Sequence, residues 1–309
     1  MMHDMHGFTY ATSLDLSMGY YHIPLDSSAA DLCVIVLPFG KFRYLRLPQG
    51  ITIAVDIFQE KMSNIMRDLN FVKVFLDDLL IVTKGRLQDH LHKLSVVLSR
   101  LRDAGLRIKV SKCKFCQKKV CYLGFVLTTE GIFPMPEKIE ALQMIAPPKS
   151  LRELRAFIGL FNYYKSIFPK RAHTLEPLSE AMTPLKKFKW TPKMNIAFND
   201  AKKIIAKETM LVFPDFSKPF RMETDASERQ LGGFLYQDHG IIGFFSRKLN
   251  NAQRNYSIPG KELLSIVDML RHWRSMVLGY KIHIKTDALN LITKHQKSAR
   301  MLRWFLLLQ

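Results

Sequence analysis

The sequence predicts an α+β chain of two or three domains, with a strand-rich N-terminal part, a helical middle and an α/β C-terminal domain. Three observations predict it. Short runs rich in Val, Ile, Phe and Tyr fill residues 8–78, leucines recur at three- and four-residue steps from 87 to 101, and strand-like runs alternate with a long helical stretch beyond residue 215. At 309 residues and 48% apolar content, the chain is long enough to bury a core in each part.

In the first part, Gly7, Gly19, Pro24, Pro38-Phe39-Gly40 and Pro48-Gln49-Gly50 punctuate the apolar runs, which is strand and turn chemistry. Leu87, Leu91, Leu94, Leu98 and Leu101 then form one stripe of an amphipathic helix over 86–104, with Gly105 just past its end. After Pro148, Ser150-Leu151-Arg152-Glu153 has the form of a capping box, followed by a second stripe of Leu154, Phe157, Ile158 and Phe161. Strands over 220–225, 232–237 and 243–246, a long helix to Leu278 and a strand over 281–287 mark a separate α/β domain.

The charge is strongly positive. Lys and Arg number 46 against 27 Asp and Glu, a formal +19, which calls for a polyanionic partner. Between residues 149 and 208, thirteen Lys or Arg stand against five Asp or Glu with aromatic residues interleaved, the pattern of a nucleic-acid-facing module, with solvated helix faces as the competing reading. A disordered basic tail would be poor in the apolar and aromatic residues found here. No apolar run approaches the roughly 20 residues of a membrane span and no signal peptide opens the chain, so an intracellular protein without a membrane partner is expected, in a cytoplasmic particle or the nucleus. Four cysteines are too few for a disulfide framework, and Cys113, Cys116 and Cys121 lack a fourth zinc ligand at finger-like spacing.

Acids stand in apolar company at several places. Asp77 and Asp78 sit between Val72-Lys73-Val74-Phe75-Leu76 and Leu79-Leu80-Ile81-Val82. Neighbours on a straight strand point to opposite faces, so both carboxylates reach one centre only if a hairpin bends the chain there. Asp15, between Leu14 and Leu16, is a further candidate, although each acid alone also reads as a plain turn or strand end. Acids in such surroundings need a compensating cation, and hard divalent ions take oxygen ligands. Clustered carboxylates with Mg²⁺ point to phosphoryl transfer. The C-terminal domain repeats the theme: Asp225 ends its first strand, Glu262 heads the stripe Ile266, Leu270 and Trp273 on its helix, and Asp287 ends its fourth strand. Such a trio can converge at one end of a sheet, as two-metal nucleases require.

In order, Leu14-Asp15-Leu16, then Leu47-Pro48-Gln49-Gly50 with Phe58-Gln59, then Phe75-Leu76-Asp77-Asp78 resemble three palm motifs of reverse transcriptases. Tyr122-Leu123-Gly124-Phe125 resembles the primer-contacting region of gypsy-type LTR retrotransposon Pol polyproteins, and residues 151–164 resemble their segment after the palm. Thr224-Asp225-Ala226-Ser227, Phe245-Ser246-Arg247-Lys248-Leu249, Lys261-Glu262-Leu263-Leu264 and Leu302-Arg303-Trp304 resemble their RNase H domain. The resemblance implies a palm with part of the fingers over 1–84, the remaining palm with thumb or connection over 85–214, and an RNase H-like α/β domain, cut short at its C-terminus, over 215–309.

The resemblance also implies an RNA-directed DNA polymerase with RNase H activity. Asp15, Asp77 and Asp78 would ligate Mg²⁺, or Mn²⁺ in its place, in the polymerase, and Asp225, Glu262 and Asp287 would do so in the nuclease. Tyr20 matches the aromatic gate that selects deoxynucleotides, and Gln49 matches the motif lining the nucleotide and template pocket. Implied partners are an RNA or DNA template-primer, an RNA–DNA hybrid and deoxynucleoside triphosphates. The chain departs from the family at Leu76, at Ile53-Ala54-Val55-Asp56 and at Ala288. It also begins just before the first palm motif and stops before the family's fourth RNase H acid, which predicts weak turnover by residues 1–309 alone. A decayed or domesticated nucleic-acid-binding remnant is the alternative reading.

Overall fold

The computed structural model describes residues 5–182, 188–207, 209–287 and 299–306, so Ala288 lies outside the described residues. The architecture is α+β, in two compact units, Met1–Thr129 and Glu130–Gln309.

The N-terminal unit begins with β1 (Tyr10–Ser17), a 3-10 turn over Gly19–His22, and α1 (Ser27–Leu32), capped by Asp26, whose carboxylate accepts from Ala29 N–H at 2.7 Å. A hairpin of β2 (Val34–Leu37) and β3 (Gly40–Arg43) leads to α2 (Ala54–Ile65), and β4 (Val72–Phe75) turns directly into β5 (Asp78–Thr83). Then follow α3 (Leu87–Asp103), β6 (Arg107–Ile108), β7 (Lys114–Gln117), β8 (Lys119–Tyr122) and β9 (Phe125–Thr128). The main sheet has the order β4-β5-β1-β6, with β7 also pairing with β1. Phe58 and Met62 of α2 and Leu94, Val97 and Leu101 of α3 pack with Leu14, Leu16, Leu79 and Ile81 of the sheet in one core.

Two details of α3 show how local rules and tertiary packing divide the work. Its end follows the sequence: Gly105 has φ 70°, Gly105 N–H donates to Arg102 O at 2.9 Å and Leu106 N–H to Leu101 O at 2.8 Å, a Schellman motif. Its buried face does not. The core takes His90, Leu94, Val97 and Leu101, while Leu87 and Leu91 of the predicted stripe are 38% and 47% exposed. The helix is rolled toward His90, which is fully buried between hydroxyl groups of the sheet.

The C-terminal unit opens with β10 (Gly131–Pro134), which pairs with β11 (Leu211–Val212). Between them lie α4 (Pro136–Met144), α5 (Leu151–Tyr163), α6 (Arg171–Thr174), α7 (Glu176–Glu180) and α8 (Pro192–Ala206), with Phe157, Phe161 and Phe198 stacked in their core. Ser150 caps α5 as the sequence predicts, accepting from Glu153 N–H at 3.2 Å, but the Glu153 carboxylate accepts from Lys149 N–H at 2.8 Å, one residue before the cap.

The second sheet has β12 (Phe220–Ala226), β13 (Gln230–Gln237), β14 (Gly240–Lys248) and β15 (Ile282–Lys285) in the order β14-β13-β12-β15, with β15 parallel to β12. The predicted single helix to Leu278 is instead three: α9 (Asn251–Arg254), α10 (Ile258–His272) and α11 (Arg274–Val277). Ser257 starts α10 afresh by accepting from Gly260 N–H at 3.3 Å, and Trp273 ends it by burying its indole over Gly243 and Phe245. The last helix, α12 (Ala299–Leu306), seats Trp304 in a second cluster with Tyr256 and Leu263.

The free edge of β14 is met by the segment between α5 and α6 and by the first residues of α6. Phe244 N–H donates to Ser166 O at 2.8 Å, Ala172 N–H donates to Ser246 Oγ at 2.9 Å, and the Arg171 guanidinium donates to Ser246 O and Asn162 Oδ1. On the sheet's face, Gly233 lets α10 approach. A Cβ there would overlap the Glu223 carbonyl oxygen and lie 2.6 Å from the Met269 thioether. Gly233→Ala is therefore expected to cost about 1–3 kcal/mol in the C-terminal unit by overpacking. Calorimetry should show one of two melting transitions lowered, or a lowered single one, with unchanged melting counting against the contact.

Candidate active site

The N-terminal carboxylates are brought together by strand pairing. Asp15 on β1 stands directly opposite Asp78, the first residue of β5, and Asp77 occupies the two-residue turn between β4 and β5. The hairpin expected from the sequence is present, and the bend falls at Leu76-Asp77. Leu76 has φ 52°, a left-handed conformation that costs an ordinary L-residue about 1–2 kcal/mol. Gln59 of α2 offsets part of that cost. Its Oε1 accepts from Leu76 N–H at 2.8 Å and its Nε2 donates to Ser63 Oγ at 3.1 Å, so the helix holds the turn in place.

Tyr20 and Gln49 occupy different environments. Tyr20 is 8% exposed on the 3-10 turn after β1, with its ring 4.9 Å from that of Phe58, and its hydroxyl is pushed up by burial and by the charge of Asp77. Gln49 lies exposed in the turn before α2. Two residues that nothing in the sequence marked as functional also shape the site. At Gly19 a Cβ would lie 2.5 Å from both Asp77 Oδ1 and the Phe58 ring, so only glycine leaves that carboxylate its place. Lys112 places Nζ 3.4 Å from Asp15 Oδ2, and with Lys114, Lys119 and Gln117 it lines a cavity of about 420 Å³ beside Asp15 and Asp78.

The electrostatics follow from crowding like charges. Burial, then Asp15, then Asp78 push Asp77 above the ordinary carboxylate range, and burial followed by Asp15 pushes Asp78 the same way; Lys112 opposes both shifts. Asp77 Oδ1 is buried without a hydrogen-bond partner. Tyr122, 4% exposed, has its hydroxyl likewise unpartnered, raised by burial and by Asp78. Hard oxygen donors that repel one another and leave one lone-pair site empty fit a divalent cation. As they stand, no three Asp, Glu, His or Cys side chains among the described residues gather closely enough to hold a metal, and the Lys112 ammonium is the cation nearest Asp15.

The C-terminal acids are also brought together, by different elements. Asp225 lies near the end of β12, Glu262 on the first turns of α10, and Asp287 two residues past β15, parallel to β12. Glu262 is 7% exposed, whereas Asp225 and Asp287 are exposed. Burial, then Asp225, then Asp287 raise Glu262, and Ala226 N–H and the Thr286 hydroxyl oppose the shift by donating to it; its Oε2 has no partner. The buried Ser265 hydroxyl, one turn along α10, lies 3.4 Å from both Asp225 O and Gly232 O and fastens the helix over these strands. This donor set, too, is all oxygen and short of positive charge.

The strand-paired carboxylate cluster thus lies in one unit, and the β14-β13-β12-β15 sheet with its acid-bearing helix in the other. Residues 1–127 match the reverse transcriptase (RNA-dependent DNA polymerase) family, and residues 190–284 match the RNase H-like domain found in reverse transcriptase. With these two domain matches in order along one chain, the sequence is similar to a stretch of retrotransposon Pol polyproteins. It is 35% identical over 302 residues to the retrovirus-related Pol polyprotein from transposon 297 of Drosophila melanogaster, covering 96% of this chain and 28% of that protein. It is 33% identical over 319 residues to the transposon Tf2-7 polyprotein of Schizosaccharomyces pombe, covering 98% and 24%. The chain thus spans about a quarter of the length of these relatives. Its fold matches a foamy viral protease-reverse transcriptase dRH in complex with double-stranded DNA, with TM-score 0.87, 21% identity, and 99% and 56% of the two chains covered. It also matches a foamy viral protease-reverse transcriptase in complex with an RNA/DNA hybrid, with TM-score 0.80, 21% identity, and 97% and 43% covered. These families generally use a divalent metal. Among the described residues no helix is long and apolar enough to cross a membrane.

The raised carboxyls have a measurable consequence without any metal. Between the ordinary Asp value and the raised one, the folded chain holds more protons than the unfolded chain, so stability falls as pH rises through that window. Asp77→Asn removes the most crowded charge. In metal-free buffer it is expected to unfold at higher urea than the wild type at pH 7 and to show a shallower pH dependence between pH 4 and 7. Equal urea midpoints across that range would show that the carboxylates do not repel as described.

Proposed function

We propose that the chain acts as an RNA-directed DNA polymerase with RNase H activity, each by phosphoryl transfer at paired Mg²⁺ ions, with Mn²⁺ able to substitute. The observation that carries this reading is Asp15 opposite Asp78 with Asp77 in the turn between, a repulsive arrangement that core packing sustains at a cost to stability. Asp15, Asp77 and Asp78 would hold the ions in the polymerase, within 1–84, and Asp225, Glu262 and Asp287 in the nuclease, within 215–309; residues 85–214 complete the palm and form the thumb or connection. Bound there, the metal supplies a lowered pKa for the attacking hydroxyl or water and charge stabilisation for the leaving group.

The chain's own residues do the rest. Tyr20, fixed by Phe58, sets the width of the sugar pocket for a deoxynucleoside triphosphate, and Gln49 lies on the loop that faces nucleotide and template. Lys112, Lys114 and Lys119 supply positive charge beside the acids for phosphates. The RNA or DNA template-primer and the RNA–DNA hybrid are held through phosphate contacts, as the +19 charge and the fold shared with nucleic-acid complexes support. Such work belongs inside the cell, in a cytoplasmic particle or the nucleus. The alternative, a remnant that binds nucleic acid without turnover, is favoured by the substitutions at Ile53-Ala54-Val55-Asp56, the cap and first turn of α2.

Primer extension and hybrid cleavage with Mg²⁺ and with Mn²⁺ separate the two. Asp77→Asn is expected to abolish extension and Asp225→Asn to abolish cleavage, each with duplex affinity changed by less than about threefold, because the loss falls on the transition state. Absence of both activities in the wild type would favour the remnant. In either case duplex affinity should fall on the order of 10³-fold between 50 and 200 mM salt if about six phosphates are neutralised. A flat salt dependence would exclude phosphate contacts as the main attachment.

A further inference from the structure

The register of β1 against β5 decides whether Asp15 faces Asp78, and little that is local fixes it. Sixty residues separate the two strands, so no turn sets their alignment as the Leu76-Asp77 turn sets β4 against β5. The apolar pattern discriminates poorly as well. Leu79, Leu80 and Ile81 are all fully buried in succession, so β5 is apolar on both faces and tolerates a slip that alternation would otherwise forbid.

Buried polar groups mark the strands where apolar ones do not. Thr12 of β1, Thr83 of β5 and His90 of α3 are 0%, 3% and 0% exposed. Thr12 Oγ1 lies 2.7 Å from His90 Nε2, and Thr83 Oγ1 lies 2.7 Å from His90 Nδ1. Burial, assisted by Lys93, pushes the imidazole's pKa down, and a neutral ring has one donor and one acceptor nitrogen, each with one threonine as partner. Thr12 Oγ1 also accepts from Cys116 N–H at 3.0 Å, at the irregularity in the β1–β7 pairing between Ala11 and Ser13. One imidazole thereby joins two strands of the sheet, and through Thr12 a third.

We propose that His90 is a positioning residue, whose bridge from Thr12 to Thr83 selects the strand register that sets Asp15 opposite Asp78. Thr12 and Thr83 stand two positions apart across the strands, and a slip of two residues in the direction that separates them carries them to four apart, about 7 Å further. The ring cannot then reach both, and a buried hydroxyl is left unpaired, an outcome folded proteins avoid. This inference rests on reading Asp15, Asp77 and Asp78 as a metal site, but it also predicts the register itself, which can be read without metal.

The test uses the whole chain with Glu262→Gln, which silences the C-terminal carboxylate cluster, and compares it with the same chain carrying Thr12→Val, Thr83→Val and His90→Leu together. Replacing every member by an apolar group of similar shape keeps the core packed, so the variant is expected to fold. Expected results are cross-strand Cα-proton NOEs that split into two registers and Mn²⁺ affinity, from the electron paramagnetic resonance of free ion, lowered at least tenfold. His90→Gln, which keeps a donor and an acceptor, should recover affinity to within about threefold. A triple variant with a single native register and unchanged Mn²⁺ affinity overturns the proposal. If the triple variant fails to fold, Thr12→Val and Thr83→Val are combined in a double-mutant cycle: losses that do not add support coupling through the ring, and strictly additive losses overturn it. Register splitting in a protein whose parent binds no Mn²⁺ would refute the metal site and leave the bridge standing.

Discussion

Mutual repulsion among Asp15, Asp77 and Asp78 is the constraint around which the N-terminal unit is built. Two opposed strands and a two-residue turn hold three carboxylates closer than they would settle in solution. The forces that hold them come from beneath: Leu14, Leu16, Leu79 and Ile81 are buried with the leucines and valine of α3 and the Phe58–Met62 face of α2. Burial of that area is indifferent to charge, so it can carry the repulsive cluster without relieving it. Apart from the Lys112–Asp15 ion pair, the acids therefore work against the fold they depend on.

The C-terminal unit meets a similar requirement by other means. Its buried acid, Glu262, rides on a helix, and its two exposed acids sit at the ends of parallel neighbours β12 and β15. The Ala226 amide and the Thr286 hydroxyl soften the burial of that one carboxylate, a relief that no donor gives to Asp77 Oδ1. Precision here depends on how closely α10 lies over the sheet, hence on Gly233 and on Ser265 rather than on a tight turn.

Features governed by neighbours in sequence were legible before the structure. The Schellman end of α3, the Ser150 cap and the hairpin around Asp77 follow from residues within a few positions of each other. Features governed by distant partners were not. The stripe on α3 was misplaced because a histidine that satisfies two hydroxyls on the sheet takes the place of a leucine in the core. The long C-terminal helix breaks because Trp273 finds a glycine-floored seat on β14. Of the site, the carboxylates announced themselves as acids in apolar company and Gln59 stood in a motif without its role, whereas Gly19 acts through a contact fifty-eight residues away and carries no local signal.

The segment that lies along β14 bears on how the protein behaves in a crowd. An outer strand with free amide and carbonyl groups is a template for any other extended chain, and sheet proteins need some device against such recruitment. Here Ser166 O accepts from Phe244 N–H, the Arg171 guanidinium donates to Ser246 O, and Ala172 N–H donates to the Ser246 hydroxyl. Because this cover is a loop and the start of a helix rather than a strand, it offers no new ladder on its outer side. The helical segment that precedes β12 in the chain thus doubles as a guard against fibrous self-association, a duty independent of any chemistry at the acids.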